Sequence, residues 1–173
     1  SNDPDVFQAY LKKFPEGEFV LLAKINIKKL SNTAVANVAI PNLDYGNYYA
    51  LVIGNDQYQY LDNLKTPRHD AKLIAATLKR DYGFDVNLIS NATRADMFAA
   101  LEHYRRTSTP QDNLLIYYAG HGVLDQEADE GFWLPVDAKE DSQLNWIPNA
   151  DIIRSVSSMQ AKHVMVVADS CFS

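Results

Sequence analysis

His163-Val164-Met165-Val166-Val167-Ala168-Asp169-Ser170-Cys171-Phe172-Ser173 contains five consecutive apolar residues, with no polar residue between them. A strand with one wet face alternates apolar and polar positions. An unbroken run is the pattern of a strand covered on both faces, as parallel strands are. Two runs of the same kind lie upstream at 48–53 and 114–119, and a shorter strand, interrupted by Asn87, is read at 86–89. Helical patterns separate them. Residues 69–82 place Ala71, Ile74, Ala75 and Leu78 on one stripe, with Gly83 as the stop. Thr93 and Asp96 read as a capping box opening a helix to about Arg106, and 148–159 is a third helix. Residues 132–134 read as a short extra strand. Strand–helix–strand order with parallel strands predicts an α/β fold, a three-layer αβα sandwich with right-handed crossovers.

In such sheets function gathers at the carboxyl ends of the strands. The run at 114–119 leads into Gly120-His121-Gly122, and the last run leads into Asp169-Ser170-Cys171. A thiol is a weak nucleophile until it loses its proton. An imidazole takes that proton near neutral pH and returns it to a leaving amine. Gly120 and Gly122 leave the backbone beside His121 open to a substrate chain. The amides of Gly122 and Cys171 are the expected oxyanion donors. Alone, Cys171 would read as a small buried hydrophobe and His121 as a turn residue. Their joint position at two strand ends favours an acyl-transfer site.

Composition narrows the alternatives. The chain has 173 residues and a net charge of -6, which argues against a nucleic-acid or anionic-membrane surface. Its single cysteine cannot form an internal disulfide, and no apolar stretch approaches a membrane span. A cytoplasmic setting is expected. Residues 1–30 read as a helical hairpin, with Asp3 as N-cap and Pro4 at the first helical position. Val6, Phe7, Tyr10, Leu11 and Phe14 form one stripe; Phe19, Leu22, Ala23, Ile27 and Leu30 form the second. Residues 31–46 read as linker, and 47–173 as the main domain. Tyr10-Leu11-Lys12-Lys13-Phe14-Pro15-Glu16-Gly17 resembles one unit of the short helical repeats that precede catalytic domains in bacterial multidomain proteins. The hairpin is therefore either a packing appendage or a partner-binding unit.

The main domain resembles the caspase-like cysteine peptidases of family C14, in the metacaspase-like bacterial branch, over their large-subunit portion. The residues that carry the resemblance are Tyr48-Tyr49-Ala50-Leu51-Val52-Ile53-Gly54-Asn55, Asp70-Ala71, Tyr117-Tyr118-Ala119-Gly120-His121-Gly122 and Asp169-Ser170-Cys171-Phe172-Ser173. A His about 50 residues before the Cys is itself a known caspase trait. The resemblance implies the caspase–haemoglobinase fold and a His121/Cys171 endopeptidase. It also implies a small-subunit portion of the same protein as partner, beyond Ser173, without which residues 1–173 would be inactive. Caspases carry Gln-Ala-Cys where this chain has Asp169-Ser170-Cys171. They also place a P1-binding Arg in the loop after the first strand, where Leu64 stands closest and Arg68 is out of register.

Asp-x-Cys instead resembles metacaspases, which cleave after Arg or Lys. Asp169 and Cys171 share a side of a strand if it persists that far. A carboxylate there would raise the thiol's pKa unless a bound cation offset it, so Asp169 is expected in a P1 pocket. Orienting His121, or satisfying local amides, are its rival roles. Asp70 reads as a helix-start carboxylate. Asp125, Glu127, Asp129 and Glu130 read as a solvated acidic loop; calcium is a weaker possibility and no cofactor is required. Tyr58, Tyr60, Trp133 and Trp146 read as core aromatics, with a substrate groove as the other option. His69, His103 and His163 show no metal-ligand spacing. The expected function is a cysteine endopeptidase acting after Arg or Lys, without nucleic-acid or membrane partners. The alternative is a caspase-like scaffold or regulatory module with a silent site.

Overall fold

A computed structural model describes residues 4–15, 20, 23, 24, 27 and 46–170. Asp3, most of the second helical stripe, the linker up to residue 45 and Cys171 itself lie outside the described residues. The chain divides into two units, 1–44 and 45–173. In the first, α1 (Pro4–Lys13) ends where the Phe14 N–H donates to Tyr10 O at 2.9 Å, with the two rings 5.3 Å apart.

The second unit is built on a parallel sheet of β1 (Asn47–Gly54), β2 (Asp85–Ser90), β3 (Asp112–Ala119) and β7 (His163–Asp169), in the order β2-β1-β3-β7. All three pairings are parallel, so every connection is a crossover. The crossovers carry α2 (Pro67–Tyr82), α3 (Arg94–Thr107) and α4 (Asn149–Ser157). Between β3 and β7 the chain also forms a small antiparallel sheet of β4 (Gly122–Asp125), β5 (Glu130–Trp133) and β6 (Ile147–Pro148).

Alternation along β1 and β3 splits the core in two. Leu51, Ile53, Leu114, Ile116 and Tyr118 meet Met97, Ala100 and Leu101 of α3 and Ile152 of α4. Ala50, Val52, Tyr117 and Ala119 face the other way, onto Ala71 and Ala75 of α2. Helices thus flank both faces of a mostly parallel sheet, which is the expected αβα arrangement.

Two local features position the site. Helix α3 opens with both halves of the Thr93/Asp96 capping box. Helix α2 starts at Pro67, two residues earlier than the periodicity indicates, because proline is preset for the first helical turn. Its first turn presses onto the end of β1: a Cβ on Gly54 would lie 2.6 Å from Ala71 Cβ and 2.8 Å from Pro67 O. Small residues make that approach possible, and it leaves Ile74, expected on the buried stripe, 36% exposed. Residues Gly54, Ala119 and Asp169 stand level across the sheet, so the carboxyl ends of β1, β3 and β7 form one row.

Candidate active site

His121 lies just past that row, where the chain leaves β3 for the small sheet. Its backbone is held on both sides. The N–H donates to the Tyr58 hydroxyl at 2.8 Å, and the Leu134 N–H donates to His121 O at 3.0 Å. The Tyr118 hydroxyl shares its proton between His121 O at 2.8 Å and Leu134 O at 2.9 Å. Gly120 has no side chain because the two tyrosine hydroxyls meet over it. A Cβ there would sit 2.6 Å from Tyr118 Oη and 2.7 Å from Tyr58 Oη. Burial pushes Tyr118 well above the ordinary tyrosine range and raises Tyr58 too, so both hydroxyls keep their protons.

The imidazole packs against Tyr58, ring centres 4.7 Å apart, and its Nε2 lies 2.8 Å from the Asp62 carbonyl oxygen. A carbonyl only accepts, so in the neutral ring the proton sits on Nε2. Nδ1 then keeps its lone pair. The loop supplying Asp62 and Tyr58 is itself tethered. Tyr58 N–H donates to Asn63 Oδ1, Leu64 N–H to Asp56 O, and Asp56 pairs with Arg68 at 3.1 Å. The Asn55 side chain accepts Ala92 N–H at 2.7 Å.

Gly122 faces Trp133 across the small sheet. The Leu134-to-His121 hydrogen bond one residue further out makes this a non-hydrogen-bonded pair, so the Gly122 N–H points away from the ladder. That amide is directed off the outer edge of the small sheet, on the β4 side.

A cavity of about 190 Å³ adjoins His121 and takes in Gly120, Leu64, Lys65, Asp70 and Asp169. Asp169 is exposed, and its Oδ2 accepts the Tyr117 hydroxyl at 3.0 Å. Burial first, then this bond and the Asp169 charge, push the Tyr117 pKa up to about 12. Asp70 projects from the first turn of α2 into the same space, and its field contributes to the Tyr117 shift. Sequence position alone marks Asp70 as a helix-start carboxylate; its meeting with Asp169 comes from the contact of α2 with Gly54. The two carboxylates outnumber the single Lys65 ammonium lining the cavity. Leu64 contributes an apolar wall.

A second cavity, about 740 Å³, also adjoins His121 and includes Tyr60 and Trp146. Of the four aromatics considered above, Trp133 is core, stacked on Tyr118 at 4.5 Å, and Tyr58 buttresses His121. In the acidic loop, backbone amides engage some of the carboxylate oxygens. Asp125 Oδ1 accepts the N–H groups of Glu127 and Ala128, and Glu130 accepts that of Ala150. Among the described residues, no three acid, imidazole or thiol groups gather as an ion would need.

The fold agrees with comparisons to known proteins. The crystal structure of protein GSU0716 from Geobacter sulfurreducens superposes with a TM-score of 0.59 at 22% identity. That match covers 72% of this chain and 50% of the other, so the chain spans half the length of its structural relative. No curated protein sequence matches the chain. The caspase-domain family model, peptidase C14, matches residues 47–173. That match takes in every strand of both sheets together with His121 and Cys171, and the chain belongs to the caspase-domain family of cysteine peptidases.

Proposed function

We propose that this chain is the catalytic portion of a cysteine endopeptidase that cleaves after Arg or Lys. The observation that carries the reading is the pair of carboxylates, Asp70 and Asp169, in one small cavity beside His121. A guanidinium or ammonium at P1 would meet both, and its charge would offset the Asp169 field two residues before Cys171. His121 Nδ1 takes the thiol proton, and the Cys171 thiolate adds to the scissile carbonyl. The amides of Gly122 and Cys171 hold the oxyanion. As the C–N bond breaks, His121 passes its proton to the departing amine, and water then hydrolyses the thioester with His121 as base. The Asp62 carbonyl stabilises the imidazolium formed on the way.

The outer edge of β7, where Met165 is 63% and Val166 40% exposed, supports a small-subunit portion that continues the sheet there. The test uses the full-length protein and peptides with Arg, Lys or Asp at P1, with Cys171→Ala as control. Cleavage after Arg and Lys is expected. Cleavage after Asp alone would refute the assignment of Asp169, and absence of any cleavage would favour a silent scaffold.

A further inference from the structure

We propose that the 740 Å³ cavity on the other flank of His121 is the leaving-group subsite, and that it takes a bulky apolar or aromatic residue directly after the scissile bond. The inference rests on the peptidase reading above. His121 lines both cavities, the small acidic one and the large one. With P1 held beside Asp70 and Asp169, the amine that takes its proton from His121 departs past the imidazole. The residues that follow the scissile bond then run towards the large cavity. Gly122, whose amide is the proposed oxyanion donor, also borders this cavity, so the scissile carbonyl would sit between the two.

The cavity has a polar side, with Gln59, Asp62 and Glu140 beside His121, and an apolar wall, and that wall is what a bulky apolar side chain would meet. Leu61, Val123, Leu134 and Trp146 belong to, or pack on, the apolar cluster around Phe132. Trp146 is fixed: its Nε1–H donates to Lys139 O at 2.8 Å and its ring meets Phe132 edge-on at 5.5 Å. Tyr60 is 58% exposed, and its ring lies 4.7 Å from the Lys139 ammonium, leaving an aromatic wall at the rim. Glu140 also lines the cavity and disfavours an acidic occupant.

The test uses full-length protein and internally quenched peptides with Arg before the scissile bond and Phe, Leu, Gly or Asp after it. Phe and Leu are expected to exceed Gly by about tenfold in kcat/KM, the worth of one side chain in a hydrophobic pocket, with Asp lowest. Val123→Trp, which fills the cavity, and independently Trp146→Ala, which removes its floor, should each bring the Phe-to-Gly ratio close to one. The ratio is read within each variant, so a general loss of activity does not imitate the effect. Equal turnover of the Phe and Gly peptides by the unaltered protein, with Arg still required, overturns the subsite alone. Failure of the unaltered protein both to cleave any peptide and to be alkylated at Cys171 by a peptidyl-arginine chloromethyl ketone, which carries nothing beyond the reactive carbon, overturns the peptidase reading with it.

Discussion

The Tyr58 hydroxyl accepts the backbone N–H of His121 at 2.8 Å while its ring lies 4.7 Å from the imidazole, so one side chain fixes both the backbone and the ring of His121. Tyr58→Phe keeps the ring and removes the acceptor. Leaving that amide without a partner should cost about 1–3 kcal/mol of stability. In the peptidase reading, kcat should fall roughly tenfold with KM little changed, because the base is misplaced while the P1 cavity is intact. Steady-state kinetics and urea unfolding of the same variant separate the two effects.

Gly120→Ala should be more damaging than its size suggests, because the new methyl would lie 2.6 Å from Tyr118 Oη and 2.7 Å from Tyr58 Oη. Overpacking of this kind costs about 1–3 kcal/mol. Adding Tyr58→Phe removes one of the two oxygens in its way. The double variant should therefore be less destabilised than the sum of the single changes, and a thermodynamic cycle on unfolding free energies checks this.

Asp70 and Asp169 should act together on P1 selection. Asp70→Asn and Asp169→Asn each remove one charge facing the same cavity. Each should cost roughly 1.5–3 kcal/mol in kcat/KM for an Arg substrate, the scale of a hydrogen bond to a charged group. The double change should abolish the preference for Arg over a neutral isostere such as citrulline. Retention of full basic selectivity in Asp169→Ala would remove that residue from the pocket.

Stability should decline on the alkaline side. Tyr58, Tyr104, Tyr117 and Tyr118 all have pKa values raised in the fold, chiefly by burial, with Tyr117 near 12. A group that holds its proton more tightly when folded contributes fully below its unfolded pKa, about 10 for tyrosine, and loses that contribution as pH rises through the folded value. Urea midpoints should therefore fall between about pH 10 and 12. The fall should be shallower in Tyr117→Phe.

The strands β1, β3 and β7 declare themselves in the sequence as apolar runs, each within two residues of where it lies. Only β1 and β3 owe the run to burial on both faces: β7 is an edge strand whose Met165 and Val166 are 63% and 40% exposed, so the expected double cover is not met there. The small sheet does not. Gly122–Asp125 is four residues with no period, and Ile147–Pro148 is two, so their pairing depends on partners that no local pattern names. Only the β5 region was anticipated. At the site, His121 stands out by its glycine neighbours. Asp70 does not, because its relation to Asp169 exists only once α2 has closed over Gly54. The orienting group on the imidazole is beyond any reading of side chains, since it is a main-chain oxygen.

That last feature has a genetic consequence. A hydrogen-bond acceptor supplied by the Asp62 carbonyl is present whatever amino acid is encoded there. No point mutation deletes it, and alanine scanning would report position 62 as dispensable for orienting the imidazole. Its contribution is exposed only by chemistry that edits the backbone, such as an ester in place of the peptide link following residue 62, which weakens the carbonyl as an acceptor. In evolutionary terms the loop is free to vary its side chains while the geometry of the imidazole is inherited with the path of the chain.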